Sequence, residues 1–274
     1  MAGGGTYRRQ RQMKKEDRLS KILDIITRNG SADVESVATK LKVSTATIRR
    51  DFDTLAQQSL VSRTHGGAIA SSSSINLPLK YKAAKNNQTK QLIALEATKY
   101  VERYQVIGIN GGTTTTEVAR ALAIDPKFAP KDEQQPALTV VTNAVNIAAE
   151  LTVRHQIKIM VTGGVARPQS FELTGPYAEQ VLEEVNIDIA ILGVESLDIS
   201  RGVAARHEDE ARVNRQIAAR AEKLMVVTDS SKFTKRAFAN IAPISEIDIL
   251  ITDNAIDKEA IEIIRDNRIE LVVV

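Results

Sequence analysis

The stretch Ile109-Asn110-Gly111-Gly112-Thr113-Thr114-Thr115-Thr116-Glu117-Val118-Ala119 joins a β-branched run, Val106-Ile107-Gly108-Ile109, to a segment with apolar residues at helical spacing. A short apolar run, two glycines and then a helix is the pattern of a strand leading into a helix through a tight loop. Glycines let a backbone turn its N–H groups toward an anion, threonine hydroxyls add donors, and the helix that follows presents its positive dipole end. The loop therefore suits a phosphate. It lacks the Gly-Lys-Ser/Thr of a nucleoside-triphosphate loop and the GxGxxG of a dinucleotide fingerprint, which disfavours ATP and NAD. The plain alternative is a strand-to-helix turn that uses glycine for geometry and threonine for capping.

Outward from this loop the same alternation repeats. Apolar runs recur at Leu138 to Val141, Ile157 to Val161, Ile187 to Leu192, Leu224 to Val227, Ile247 to Ile251 and Ile269 to Val273. Helical patterns at Thr116 to Ala123, Ala144 to Leu151, Glu208 to Ala221 and Lys258 to Arg265 lie between most of them. Strand and helix in turn, with β-branched runs, predict an α/β domain with a mostly parallel sheet. In such sheets ligands gather where the loops at the carboxyl ends of strands converge. Those loops carry Thr142-Asn143, Gly163-Gly164, Glu195 and the run Asp229-Ser230-Ser231-Lys232. Lys232 is suited to neutralising a phosphate, and Asn143, Glu195, Asp209 and Glu210 to reading sugar hydroxyls; each has a plainer role as a cap or surface group. Asp125 to Pro136, with three prolines and mixed charge, reads as a surface loop.

The composition of the 274 residues, 43% hydrophobic and 26% charged, is that of an ordered globular chain. Cysteine is absent, so disulfides, zinc-thiolate sites, iron-sulfur clusters and thiol nucleophiles are excluded. The three histidines, His65, His155 and His207, share no ligand spacing, and neither a metal nor another cofactor is expected. No apolar run has the length of a membrane span, and the expectation is a soluble cytoplasmic protein without a membrane partner. The net charge of +3 hides an asymmetry, because residues 1–65 hold 13 Lys+Arg against 7 Asp+Glu while the remainder hold 24 against 27. A front end of +6 precedes a body of −3, which points to a polyanion partner for the first segment; the plain alternative is a basic tail, with Arg8, Arg9, Arg11, Lys14 and Lys15, that inflates the count without forming a site.

Three short amphipathic patterns fit into that front end. Leu19, Ile22, Leu23 and Ile26 form one stripe, Val34, Val37, Ala38 and Leu41 a second, and Ile48, Phe52 and Leu55 a third that follows the N-cap candidate Ser44. The short Leu41-Lys42-Val43 connection has the length of a helix-turn-helix. Ser44, Thr45, Thr47, Arg49 and Arg50 then lie beside or opposite the third stripe. Short hydroxyls near a helix start and forked guanidinium groups are what a helix in a major groove uses on phosphates and guanine edges. The competing reading is that Arg49 and Arg50 merely solvate a helix and pair with Asp51 or Asp53. Leu60 to Ala68 then reads as a hairpin or wing that places Arg63 and His65 near the adjacent backbone. The expected domains are a basic tail at 1–14, a winged helix-turn-helix at 15–70, a linker at 71–86 marked by Ser71-Ser72-Ser73-Ser74 and Pro78, and an α/β domain at 87–274. A helical, mostly polar connector is expected near 87–101.

The run Ser44-Thr-Ala-Thr-Ile-Arg-Arg-Asp-Phe, followed by Arg63-Thr-His-Gly-Gly-Ala, resembles the signature of DeoR-family transcriptional regulators. The resemblance extends through Gly112 to Thr115, Thr142-Asn143, Gly163-Gly164, Gly175, the Gly202 segment with Glu210, Asp229 to Phe233 and Ile251-Thr-Asp253. It implies a Rossmann-like α/β sensor similar to ribose-phosphate isomerases and glucosamine-phosphate deaminases. Thr47, Arg49 and Arg50 would then lie on a recognition helix, and Arg63 and His65 in the wing. The threonine loop and Lys232 would hold an effector's phosphate. Two positions depart from the pattern: Asn110 stands where the family usually has Asp, and Ser196 where a second Gly usually follows Gly193. The function implied is a repressor of carbohydrate genes that binds double-stranded operator DNA as a homodimer or homotetramer and answers to a phosphorylated sugar. An isomerase or deaminase acting on sugar phosphates is the alternative, with Glu195, Asp209 or Glu210 as its base.

Overall fold

The computed structural model describes residues 13–58, 60–70, 86–130, 135–233 and 236–274. The tail up to residue 12 and the Ser71 to Pro78 stretch lie outside the described residues. The chain divides into two compact units, Met1–Lys85 and Asn86–Val274.

The first unit begins with α1 (Lys15–Asn29), closed by Gly30 at φ 76° in the left-handed conformation that glycine adopts without penalty. A three-residue strand, β1 (Ser31–Asp33), follows, and its last residue caps α2 (Val34–Leu41) by accepting from the Ser36 amide at 2.7 Å. Lys42 turns the chain at φ 55°, and Ser44 caps α3 (Thr45–Gln57) by accepting from the Thr47 amide at 3.1 Å. β2 (Val61–Arg63) and β3 (Gly67–Ala70) form the wing, in a sheet of order β1-β3-β2. The three apolar stripes meet in one core: Ile22, Leu23, Ile26, Ile48, Phe52 and Leu55 are wholly buried. Leu41 sits only partly buried at its edge. β1 is too short to announce itself by alternation, yet it fixes the wing. A Cβ at Gly67 would lie 2.1 Å from the Ala32 carbonyl oxygen, so only glycine lets the two backbones approach this closely.

The second unit opens with α4 (Asn87–Thr98), which belongs to the domain core and is no mere connector: Ile93, Ala97 and Val101 are fully buried, while Leu92 is exposed. The chain then runs through β4 (Val106–Ile109), α5 (Thr113–Ile124), β5 (Leu138–Thr142), α6 (Val145–Leu151) and β6 (Ile157–Val161). A hairpin of β7 (Val165–Ala166) and β8 (Leu173–Thr174) leads to α7 (Pro176–Glu183) and β9 (Ile187–Gly193). After β10 (Ser196–Asp198) and β11 (Gly202–Ala205) come α8 (Glu208–Ala219), β12 (Ala221–Val227), β13 (Ala239–Ala242), β14 (Ile249–Thr252), α9 (Lys258–Asp266) and β15 (Glu270–Val273). All seven apolar runs of the sequence fall in one sheet of order β15-β14-β12-β9-β4-β5-β6, parallel throughout. The inner strands are buried on both faces, which is why they read as nearly continuous apolar runs, while the edge strands β6 and β15 keep exposed residues.

β10, β11 and β13 form a separate antiparallel sheet that the sequence pattern did not announce. Residues 131–134 of the expected surface loop lie outside the described residues, and the start of that loop is less superficial than its composition implies. Pro126–Phe128 makes a 3-10 turn, and the Phe128 ring is fully buried. From β4 the chain goes to β5 and β6 on one side, then crosses back to β9 on the other. The carboxyl end of β4 is thus a point where the winding direction reverses, which opens a crevice beyond the strand ends.

Candidate functional site

On α3 the residues divide cleanly. Ile48, Asp51, Phe52 and Leu55 are buried, and Thr45, Arg49 and Arg50 are exposed. Ser44 Oγ lies 2.8 Å from Thr47 Oγ1, so these two hydroxyls secure the helix start. Both acids next to the arginines are engaged elsewhere. Asp51 forms a two-point pair with Arg18 of α1, whose Nη2 donates to Oδ1 at 3.1 Å and whose Nε donates to Oδ2; the side chains are 12% and 2% exposed for Arg18 and Asp51. Hydrogen bonding to Asp51 raises the Arg18 pKa despite the opposing effect of burial. Asp53 pairs with Arg63 at 2.9 Å. Among the described residues, Arg49 and Arg50 have neither an ion pair nor a hydrogen bond through their guanidinium groups, so the pairing with Asp51 or Asp53 is not found.

The wing residues differ from one another. Arg63 also donates to the Gly67 carbonyl at 2.8 Å and lies 5.5 Å above the Phe52 ring. It rivets the hairpin to α3, and its guanidinium is occupied. His65, at the hairpin tip, is exposed.

In the second unit, the crevice at the end of β4 is built from several elements. Asn110 is 1% exposed and bridges β4 to β9: its Nδ2 donates to the Gly193 carbonyl at 2.9 Å, and its Oδ1 accepts from the Gly193 amide at 2.9 Å. An amide side chain does both, whereas an ionised carboxylate can only accept. Aspartate would set a second oxygen against the carbonyl, which gives the departure at this position a physical reason. Gly112 precedes α5 with no side-chain cap, leaving the first amides of the helix unclaimed by side chains. Thr116 Oγ1 donates to the Gly112 carbonyl at 2.6 Å and accepts from Asn146 Nδ2 at 2.9 Å. Thr113 is half-buried at the mouth, Thr114 is buried, and Thr115 Oγ1 is buried without a hydrogen-bond partner.

Glu172, which the sequence reading passed over, reaches this loop from the hairpin. Its Oε1 accepts from the Gly111 amide at 2.8 Å and from Asn214 Nδ2 at 3.4 Å. Burial, with the nearby charge of Glu210, pushes its carboxyl up to about 8, against the opposing bonds from Asn214 and Gly111; the charge of Glu195 adds to the rise. Asn143 is fully buried and donates to Asn214 Oδ1 at 3.3 Å, while its own Oδ1 has no partner. It faces inward and is neither a cap nor a surface group. Glu210 accepts from Arg167 Nε at 2.9 Å and Ser170 Oγ at 2.7 Å. Glu195 faces Arg206 at 3.4 Å, and Asp209 is exposed at the first turn of α8.

Gly163 and Gly164 have φ of 75° and 111°, and a Cβ on Gly164 would meet the Thr174 carbonyl oxygen at 2.5 Å. Their geometry serves the hairpin base. Lys232 ends the 3-10 turn capped by Asp229, and Ser230 donates to Asp253 through its amide at 2.7 Å and its hydroxyl at 2.8 Å. The Asp229 and Asp253 segments of the sequence pattern therefore meet. Burial opposes ionisation of Asp253, but these bonds and that from the Ala255 amide hold its pKa below the usual range. A second basic residue missed in the sequence is Lys90, buried on α4, where helical spacing places it on the inner face. Among the described residues no cluster of histidine and carboxylate side chains has the makings of a metal site, and no helix is long and apolar enough to cross a membrane.

A winged helix-turn-helix with two unpaired arginines on its third helix, on one chain with a parallel α/β domain, defines a DNA-binding transcriptional regulator with a separate sensor. The model of the DeoR-like helix-turn-helix domain matches residues 18–74, and that of the DeoR C-terminal sensor domain matches residues 85–254. The chain belongs to the DeoR family. It is 35% identical over 248 residues to the HTH-type transcriptional regulator GlpR of Haloferax volcanii, covering 90% of this chain and 92% of that one. It is 30% identical over 259 residues to the glycerol-3-phosphate regulon repressor of Escherichia coli K12, covering 94% and 99%. A solved D-ribose-5-phosphate isomerase in complex with phospho-erythronic acid overlaps 54% of each chain at 22% identity, with a TM-score of 0.40.

Proposed function

We propose that this protein represses genes of carbohydrate metabolism by binding operator DNA through α3, and that a phosphorylated sugar or related metabolite bound at the Gly/Thr loop changes that affinity. The observation that carries the reading is the disposition of charge on α3: Arg49 and Arg50 are exposed while Asp51 and Asp53 are committed to Arg18 and Arg63. Two cations without counter-ions beside Thr45 and the capping pair Ser44 and Thr47 suit phosphates and base edges in a major groove. His65 is placed to touch the flanking backbone, and Arg63 holds the wing in position. Relatives named as repressors support the direction of control.

The effector reading rests on the open amides at Gly112 to Thr115, the unpartnered Thr115 Oγ1 and Asn143 Oδ1, and the crevice at the end of β4. Lys232 and Lys90 are the candidate counter-charges. Operators are commonly read by symmetric assemblies, which implies a homodimer or homotetramer. The effector is bound without being transformed: Glu210 is tied to Arg167 and Ser170, and Glu195 faces Arg206. The test is fluorescence anisotropy of the full-length protein on its own promoter and on unrelated DNA at several salt concentrations. Binding at least a thousandfold tighter to one sequence, on the order expected for specific recognition, is the supporting result. Equal weak binding to all sequences refutes it. Turnover of a panel of pentose and hexose phosphates would instead establish the enzyme.

A further inference from the structure

The segment between Gly163 and Gly175 is a strap laid over the carboxyl end of the sheet. Its base is closed by the β7–β8 pairing and by the tight approach of Gly164 to Thr174. Its outgoing limb is bound to the exit of β5, where the Leu173 amide donates to the Asn143 carbonyl at 2.6 Å and the Val145 amide to the Phe171 carbonyl at 3.0 Å. Its tip is held to α8 by the bonds from Arg167 and Ser170 to Glu210. Phe171 has a φ of 61°, a left-handed backbone on a bulky residue, and the next side chain, Glu172, enters the loop after β4. A Cβ on Gly111 would stand 2.4 Å from Glu172 Cγ, so the acid fills the space that the glycine leaves.

We infer that the Glu172 carboxyl is a built-in competitor of the effector's anionic group, occupying the Gly111 amide until the ligand displaces it. The inference rests on the reading of the Gly/Thr loop as the effector site. An acidic side chain on the amide of an anion loop makes two kinds of opposition to an incoming anion. As a neutral acid it takes a single donor; as a carboxylate it also repels the ligand's charge. Burial sets the change between these forms near pH 8. Glu210 and Glu195 are the acids whose charge acts on Glu172, with Arg167 and Arg206 as their cationic partners. Displacing the carboxyl also releases Asn214 of α8 from its bond to Glu172, so ligand entry is felt by the helix that holds the strap's tip.

The experiment is titration calorimetry of sulfate, whose charge is constant above pH 6, into the full-length wild type and Glu172→Gln between pH 7 and 9.5. The wild-type Kd is expected to weaken about tenfold or more across this range, because carboxylate formation must be reversed or overcome for binding. The Glu172→Gln Kd is expected to change less than about twofold and to be tighter than wild type at the upper end. Deprotonation of lysines affects both proteins alike, so the difference between them isolates position 172. Should the glutamine variant fail to fold, Glu172→Asp, which withdraws the carboxyl from Gly111 by one methylene, is expected to bind sulfate more tightly than wild type at pH 9.5. Parallel pH profiles in wild type and variant overturn the inference while leaving the loop reading intact. Absence of sulfate binding by both folded proteins at every pH overturns the loop reading, and the inference with it.

Discussion

Arg18→Ala tests how α3 is held. In the wild type, two guanidinium N–H groups fork onto both oxygens of Asp51, a carboxylate only 2% exposed. Deleting the guanidinium leaves that carboxylate without its partner in a site from which water is largely excluded. Breaking a buried pair from one side costs about 3–5 kcal/mol, against about 0–1 kcal/mol for a pair in water. For a unit of this size each kcal/mol lowers Tm by roughly 4–8 °C, so a fall of at least about 12 °C in the transition of the DNA-binding unit is expected. Differential scanning calorimetry measures it, and amide exchange at α1 and α3 shows whether the loss is local. Arg18→Met combined with Asp51→Leu removes both charges and is expected to stay within about 1 kcal/mol of wild type, with promoter binding retained. A destabilisation below about 1 kcal/mol in Arg18→Ala would show that Asp51 is effectively solvated, and the account of why Arg49 and Arg50 lack counter-ions would fail with it.

Arg49→Ala and Arg50→Ala should each weaken promoter binding, and for every DNA phosphate that is no longer neutralised the slope of log K against log salt should fall by about 0.9; an unchanged slope would remove these residues from the interface. Gly67→Ala, whose Cβ meets the Ala32 carbonyl oxygen, should cost about 1–3 kcal/mol, while Gly66→Ala, with open space around it, should stay within about 0.5 kcal/mol in the same urea titration. Asn110→Asp loses the bond to the Gly193 carbonyl and should cost about 1–3 kcal/mol of the sensor unit's stability, read from the same kind of titration. The Glu172 carboxyl binds its proton more tightly folded than unfolded, so its contribution is greatest below pH 4.5 and declines as pH rises to about 8, beyond which it is constant. The decline approaches ~1.4 kcal/mol per pH unit, and denaturation profiles of Glu172→Gln should lack it.

The central strands of the parallel sheet were legible because burial on both faces imposes a nearly continuous apolar run, the edge strands β6 and β15 keep enough of that pattern to be recognised, and the head was legible because each helix has one wet face. What escaped was decided by partners distant in sequence. β1 has three residues and exists through its pairing with β3. The β10-β11-β13 sheet draws on segments separated by α8 and β12. Glu172 looks like any loop acid until the strap carries it to Gly111, sixty-one positions away. Asn143 read as a sugar-binding group and Asn110 as the start of the anion loop, because amides serve many purposes; what distinguishes them is that Asn110 is claimed on both sides by Gly193, whereas Asn143 keeps one buried oxygen unpartnered. Arg63 was legible as a wing residue, but its attachment to Asp53, Gly67 and Phe52 was not.

That attachment has a mechanical corollary. A hairpin tied through one guanidinium to the helix beside it has its position set by that helix, so hairpin and helix present a single tooth. Variants that loosen the hairpin, such as Arg63→Ala, should therefore blunt the discrimination between DNA sequences.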